Sequence, residues 1–146
     1  MTPLVRRYVK TSFTFLLLGL GLGAVIVVMQ YVAGTYPPRI HVTAHVHLLL
    51  VGFVLMIVMG VATWMFPRPA RDDVRYRPQL AEVVYWVMTI ATGVRAASEI
   101  AAGFSAAPVF GFGIAAGGLG QFAGTILFVV NMWTRVRMPV VPTPPR

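Results

Sequence analysis

The three histidines of this chain, His41, His45 and His47, lie within seven residues of one another. Imidazole is the commonest side-chain ligand for metal ions in proteins and also binds haem iron. Successive residues of a helix are about 100° apart, so His45 and His47 should point to nearly opposite sides and could each bind a different cofactor. His41 and His45 share a face and could in principle chelate one metal ion. The alternative is that all three are interfacial histidines, hydrogen-bonded to water, loops or neighbouring helices.

A second pair of ionisable residues, Arg95 and Glu99, lies four positions apart in an otherwise apolar segment. An arginine at the centre of a membrane helix costs about 2.5–3.5 kcal/mol on insertion scales, so Arg95 should face the protein interior. One interpretation is an ion pair within a single helix. The other is that Arg95 binds an anionic group near the outer surface, such as a haem propionate. Gln121 and Asn131 are expected to form hydrogen bonds between helices.

These residues lie in apolar segments that are long enough to cross a bilayer, for which a helix needs roughly 20 residues. The segments cover about residues 12–33, 42–66, 80–102 and 109–133. Hydrophobic residues make up 58% of the chain and charged residues only 11%, whereas soluble domains carry about 25% charged residues. The sequence therefore predicts one all-α membrane domain over residues 1–146, with four transmembrane helices and a flexible tail at 138–146.

The basic residues predict the orientation of the four helices. Cytoplasmic loops of membrane proteins are enriched in Lys and Arg. One side of a four-helix topology would carry ten of these residues, and the opposite side only Arg39. Both termini are therefore expected in the cytoplasm, with the chain in the inner (plasma) membrane. Nucleic acid is not an expected partner, because no separate basic soluble domain is present. The ten residues are Arg6, Arg7, Lys10, Arg68, Arg71, Arg75, Arg77, Arg135, Arg137 and Arg146.

Small residues in the fourth segment predict close helix packing. Gly113 and Gly117, and likewise Gly120 and Gly124, are separated by three residues, a spacing that lets helix backbones approach closely in lipid. The neighbour could be another helix of the same chain or a helix of another subunit.

The residues around the histidines resemble a known family. Thr43 to Gly52 reads Thr-Ala-His-Val-His-Leu-Leu-Leu-Val-Gly, and Gly60 to Pro67 reads Gly-Val-Ala-Thr-Trp-Met-Phe-Pro. This resembles a haem-ligand helix of the heme-copper oxidase catalytic subunits, the superfamily of respiratory oxygen reductases and nitric oxide reductases. The tenth helix of that family begins Ala-His-x-His and ends in a Trp-Phe-Pro type segment, and its second helix has a related Thr-Ala-His start. The family has three arcs of four helices, and this chain looks like a single arc.

The resemblance implies haem binding and electron transfer. His45 matches the ligand of the high-spin haem and His47 that of the low-spin haem; relative to the second helix of the family, His45 instead matches the other low-spin ligand. A single arc suggests a homo-oligomer, most plausibly a trimer. The chain contains no Cys, so the haem would be non-covalent, b-type. The family's propionate-binding arginines lie in a region that this chain lacks, so Arg95 does not correspond to them.

The resemblance leaves open whether the chain is an enzyme, since the copper ligands of the family are absent. The family binds copper through three further histidines on other helices, which are missing here, so copper is not expected and reduction of oxygen or nitric oxide is doubtful. Two other functions fit the same residues. One is an accessory or assembly subunit of a respiratory complex, with the Gly-rich fourth helix as its docking face. The other is a haem-based sensor or quinone-reactive protein that uses His41 and Arg95, with quinol as a partner.

Overall fold

The computed structural model describes residues 1–66, 77–133 and 135–136. Within these ranges the chain forms four long helices and no β-strand, and each helix is long and apolar enough to cross a membrane. The predicted all-α fold with four spans is confirmed, and the chain is a multi-pass membrane protein. The predicted tail at 138–146, and the basic residues Arg68, Arg71, Arg75, Arg137 and Arg146, lie outside the described residues. The helices are Pro3–Tyr31, Arg39–Met65, Pro78–Ala102 and Pro108–Trp133.

The first helix begins well before the predicted residue 12. Thr2 is its N-cap, and the Thr2 side chain accepts a hydrogen bond from the Val5 backbone N–H at 3.4 Å. Pro3 occupies the first helical position, where its missing N–H costs nothing. The apolar segment marks only the part of this helix suited to lipid, and the helix continues through the basic turn that precedes it.

The second helix changes geometry immediately after His47. It is α-helical over Arg39–His47, π-helical over Leu48–Leu55, and α-helical again over Met56–Met65. A π-helix has i→i+5 hydrogen bonds and is rare beyond a single turn, and such segments often lie at functional sites. The wider turns change the angular relation between the histidines and the later residues of the same helix. The sequence analysis did not predict this segment.

The helices pack mainly in the order in which they follow one another. The second helix packs on the first, the third on the second, and the fourth has the third as its main partner within the described part of the chain. The first and third helices also touch near their N-terminal ends, where the rings of Tyr8 and Tyr85 meet edge to face at 5.1 Å. Consecutive helices are therefore the main neighbours, and the first and third helices meet at one end. The buried core is Tyr8, Phe15, Leu48, Met56, Met59, Val84, Tyr85, Met88 and Ala96.

Glycines of the fourth helix face the third helix of the same chain. A Cβ added at Gly117 would lie 2.5 Å from the Arg95 Cβ and 2.8 Å from the Ala91 carbonyl oxygen. Gly113 similarly faces Ser98, and Gly124 faces Met88. The close neighbour that the small-residue spacing predicts is therefore a helix of the same chain.

Two described arginines, Arg7 and Arg135, connect helix ends at one end of the bundle. Arg7 near the start of the first helix forms an ion pair with Glu82 near the start of the third, at 2.5 Å. Arg135, just after the fourth helix, donates to the carbonyl oxygens of Thr63 and Phe66 near the end of the second helix, at 3.0 and 2.7 Å. Both contacts bring together helix ends that the four-span topology places on one side. Arg39 and the histidines lie toward the opposite end.

Candidate functional site

His45 lies against the first helix. Its Nδ1 is 2.7 Å from the backbone carbonyl oxygen of Gly19. A carbonyl only accepts, so Nδ1 carries the proton and Nε2 keeps its lone pair. Gly23, one turn further along the first helix, makes room for the ring, since a Cβ there would lie 2.6 Å from the His45 Cε1 atom. Gly19 therefore supplies a hydrogen-bond acceptor and Gly23 the space for this imidazole, and together they fix its position.

His47 faces the third helix instead. Its Nδ1 is 3.0 Å from one carboxylate oxygen of Glu99 and 3.1 Å from the other. The Glu99 side chain is 1% exposed, whereas the His47 side chain is 21% exposed. Since a carboxylate accepts, Nδ1 is again the donor, and in the neutral ring Nε2 carries the lone pair.

The two imidazoles thus point toward different neighbouring helices, as their spacing predicts. Neither Nε2 atom has a hydrogen bond to any described residue. A histidine that binds a metal almost always donates its other ring N–H to a carboxylate, a backbone carbonyl or water, which fixes the tautomer and the ring orientation. His45 has the carbonyl form of this arrangement and His47 has the carboxylate form. The donor chemistry at both positions therefore fits a haem-iron ligand.

His41 has a different environment. Its Nε2 is 3.1 Å from the Ile100 carbonyl oxygen, and its ring lies 4.9 Å from that of Phe104, measured between centroids. Gly103 leaves the space that this ring occupies. His41 therefore links the start of the second helix to the end of the third. Because His45 lies against the first helix, the structure does not bring these two histidines together as a chelating pair.

Arg95 belongs to a polar network inside the chain. Its Nε donates to Glu99 Oε1 at 3.1 Å, and its Nη1 donates to Gln121 Oε1 at 3.0 Å. The amide of Gln121 in turn donates to the Thr92 hydroxyl at 3.2 Å. This geometry agrees with the interpretation of Arg95 and Glu99 as an ion pair within one helix. It leaves Nη2 as the guanidinium nitrogen that an anionic group could reach.

Two features of the site were not found by sequence reasoning, the partnership of Glu99 with His47 and the place of Thr92 in the network. The available signal was that Glu99 and His47 are polar residues in the facing halves of consecutive antiparallel helices. Within the described ranges, no group of three or more His, Cys, Asp or Glu side chains is arranged to hold a metal ion. The described residues therefore suit an iron that takes only one or two protein ligands, as haem iron does.

A groove of about 510 Å³ runs between the third and fourth helices. Its walls are mostly apolar, with Trp86, Ile90 and Val94 on one side and Gly117 and Gly120 on the other, and Glu82 at one end. No histidine lines this groove, so it is separate from the space toward which His45 and His47 point.

Comparisons with protein-family models, with curated proteins and with solved structures find no match for this chain. The fold and the site together describe a four-helix, multi-pass membrane protein in which two imidazoles lie on opposite sides of one helix.

Proposed function

We propose that this chain binds b-type haem through Nε2 of His45 and Nε2 of His47 and serves in electron transfer as a homo-oligomer, most plausibly a trimer. The observation that carries the proposal is that both rings have the same hydrogen-bonding arrangement. Each is hydrogen-bonded through Nδ1, each has an Nε2 without a hydrogen bond to a described residue, and the two face different helices. The resemblance of residues 43–67 to a haem-ligand helix supports the same conclusion.

The protein residues would hold and orient the cofactor. The Gly19 carbonyl and the Glu99 carboxylate fix the ring planes of His45 and His47, which sets the direction of each iron bond. Bound haem would supply a reversible one-electron couple between ferric and ferrous iron. Ligation by two histidines would suit electron transfer rather than binding of a gas.

The ligand pair would come from two copies of the chain. Two rings on opposite sides of one helix cannot reach the same iron from within one subunit. His45 of one copy and the partner's His47 could do so across an interface between copies. The fourth helix has the third as its main partner in the described part of the chain. Its other side could therefore pack against a neighbouring copy. Three copies arranged head to tail around a cyclic axis would close a ring.

Conservative variants separate ligation from folding. Purification in mild detergent after haem supplementation should give a Soret band with a low-spin spectrum, oxidised and reduced. In His45→Asn and His47→Asn the amide nitrogen can replace Nδ1 as the hydrogen-bond donor, but no atom replaces Nε2. We expect either substitution to abolish the low-spin spectrum while the protein stays folded. His41→Gln is the matched control: its amide can replace the Nε2 donor toward Ile100, and it should retain haem.

Two results would refute haem ligation by these residues. One is a wild-type protein without a Soret band after haem supplementation. The other is a band that survives the double variant His45→Asn/His47→Asn. A haem-loaded monomer, measured by native mass spectrometry or light scattering, would contradict only the oligomeric part of the proposal.

The other functions predicted from the sequence have less support from the site. An accessory subunit docking through the glycines of the fourth helix would need that face exposed, but Gly113, Gly117 and Gly124 face the third helix. A quinone or sensor site at His41 and Arg95 would need those groups available. His41 is instead buried against Ile100 and Phe104, and Arg95 is engaged with Glu99 and Gln121.

A further inference from the structure

Glu99 is a buried carboxylate whose presence is not explained by the two proposed haem ligands, His45 and His47. It is fully buried in a membrane-spanning helix and contacts two donors, His47 Nδ1 and Arg95 Nε. Burying an ionised group in the membrane is costly, and such residues are usually functional. The ion pair with Arg95 lowers the cost of Glu99, but it does not require the second contact with a histidine on another helix.

The position of the carboxylate is fixed by a chain of contacts that crosses three helices. Arg95 binds Glu99 with Nε and Gln121 with Nη1, and Gln121 of the fourth helix is itself anchored to Thr92 of the third. Glu99, Thr92 and Gln121 are all buried. Because each member is fixed by the next, the Glu99 oxygens have a defined direction toward the His47 ring.

We infer that Glu99 is a positioning residue that makes His47 a stronger electron donor to iron than His45. This inference rests on the proposed haem ligation. A carboxylate that accepts from Nδ1 fixes the tautomer and raises the basicity of the ligating nitrogen. The partner of His45 Nδ1 is a neutral backbone carbonyl, which draws the proton less strongly. The two axial ligands of one haem would therefore be unequal, and Glu99 would favour the ferric state.

Neutralising Glu99 tests this role. Glu99→Gln keeps the size and an acceptor oxygen but removes the charge. We expect haem to bind about 10–100-fold more weakly, the usual effect of losing such an outer partner, and the midpoint potential to rise. A tenfold weaker preference for ferric iron corresponds to about 59 mV for a one-electron couple. Glu99→Asp, which retains the carboxylate, should return the potential toward that of the wild type.

The matched control is Glu82→Gln. It removes the same charge from the same helix, but Glu82 lies at the far end and pairs with Arg7. Its midpoint potential should equal that of the wild type. A structural role of Glu99 alone would lower stability in Glu99→Gln without moving the potential of the haem that remains bound.

A measurement on the wild type covers the case in which Glu99→Gln does not fold. ¹⁵N NMR of histidine-labelled protein without haem should show His47 protonated at Nδ1 and unprotonated at Nε2, with the signal assigned by its loss in His47→Asn. The opposite tautomer would overturn the inference, as would an unchanged potential in folded, haem-loaded Glu99→Gln. A wild-type protein that binds no haem would overturn the proposed function and this inference together.

Discussion

At the scale of single residues, glycines of the first helix determine where the His45 ring lies. Gly23 lies beside the ring, and any side chain there would meet Cε1 at 2.6 Å and Nδ1 at 2.9 Å. Contacts this short require a shift, and the atoms that would shift belong to the imidazole itself. Two residues nearer the N-terminus, Gly21 has no atom within 4 Å of an added Cβ. Two glycines only two positions apart in one helix thus have different roles.

Gly23→Ala should therefore displace the His45 ring and weaken haem binding. The new methyl group competes with the ring for one space, and the hydrogen bond to Gly19 is lost or lengthened. The readout is haem occupancy from the Soret absorbance at equal protein concentration, with thermal stability in detergent measured in parallel.

Gly21→Ala is the matched control for this substitution. It should keep full haem occupancy. Its free energy of unfolding should rise by up to about 1 kcal/mol, because alanine stabilises a helix more than glycine does. Equal haem occupancy in both alanine variants would contradict the placement of the ring against Gly23.

The spacing of two residues between His45 and His47 was enough to predict that their rings diverge. It was not enough to predict their partners. Which residue of the third helix meets His47 depends on how the two helices are rotated and shifted relative to each other. Glu99 could be recognised as a buried group in need of a partner, and Arg95 supplied one four residues away, so a second partner was not predicted.

At the scale of helices, polar side chains replace the hydrophobic drive that lipid cannot supply. The core side of the third helix carries polar residues at intervals of three or four positions along its length. All of them except Thr89, whose hydroxyl has no hydrogen-bond partner within the described residues, form side-chain hydrogen bonds or ion pairs. These contacts reach the first helix through Tyr85 and Thr11 at 2.8 Å, the second through His47, and the fourth through Gln121. The third helix is therefore the common partner of the bundle. The polar residues are Glu82, Tyr85, Thr89, Thr92, Arg95 and Glu99.

Helix boundaries and the use of small residues were largely predictable, whereas the π-helical segment was not. Leu48–Leu55 contains only apolar residues and Gly52, so no proline or charge marks a change of geometry. The glycine faces toward the first helix, where an added Cβ would lie 2.7 Å from the Phe15 Cβ. The wider turns therefore accompany packing between helices, which a local sequence pattern does not record.

Gly117→Ala should destabilise the contact between the third and fourth helices. Its Cβ would meet the Ala91 carbonyl oxygen at 2.8 Å and the Arg95 backbone at 2.9 Å, and backbone atoms cannot move aside as a side chain can. Overpacking of this kind costs about 1–3 kcal/mol. The free energy of unfolding, measured by SDS titration in mixed micelles, should fall by that amount.

Gly111→Ala provides the comparison within the same helix. An added Cβ at Gly111 has no atom within 4 Å, so this variant should be as stable as the wild type or slightly more stable. If Gly117→Ala were equally stable, the close approach of these two helices would be wrong.

At the scale of the whole molecule, the packing order of the helices places the two histidines of the second helix against different neighbours. Consecutive helices pack side by side, and the second helix lies between the first and the third, so its two histidines face opposite directions. The sequence predicted the number of helices and their apolar lengths. Composition did not predict the packing order of the helices, because an open row of helices and a closed bundle bury similar residues.

Mixed oligomers provide a test of whether the two ligands of one haem come from different copies. In a cyclic trimer each interface would combine His45 of one copy with the partner's His47. His45→Asn and His47→Asn chains that carry different tags can be co-expressed and purified on both tags in succession, so that only mixed oligomers remain. Every mixed trimer then has one interface with both histidines, so the low-spin haem should return to about one third of the wild-type level.

Each variant expressed alone is the control, and neither should show this low-spin spectrum. The recovery cannot arise from binding within one chain, because no chain in the mixture carries both histidines. A mixture as devoid of low-spin haem as the separate variants would refute ligation of one haem by His45 and His47 of different copies. Recovery near one half would instead indicate a dimer with two such interfaces, since one of the two would then contain both histidines.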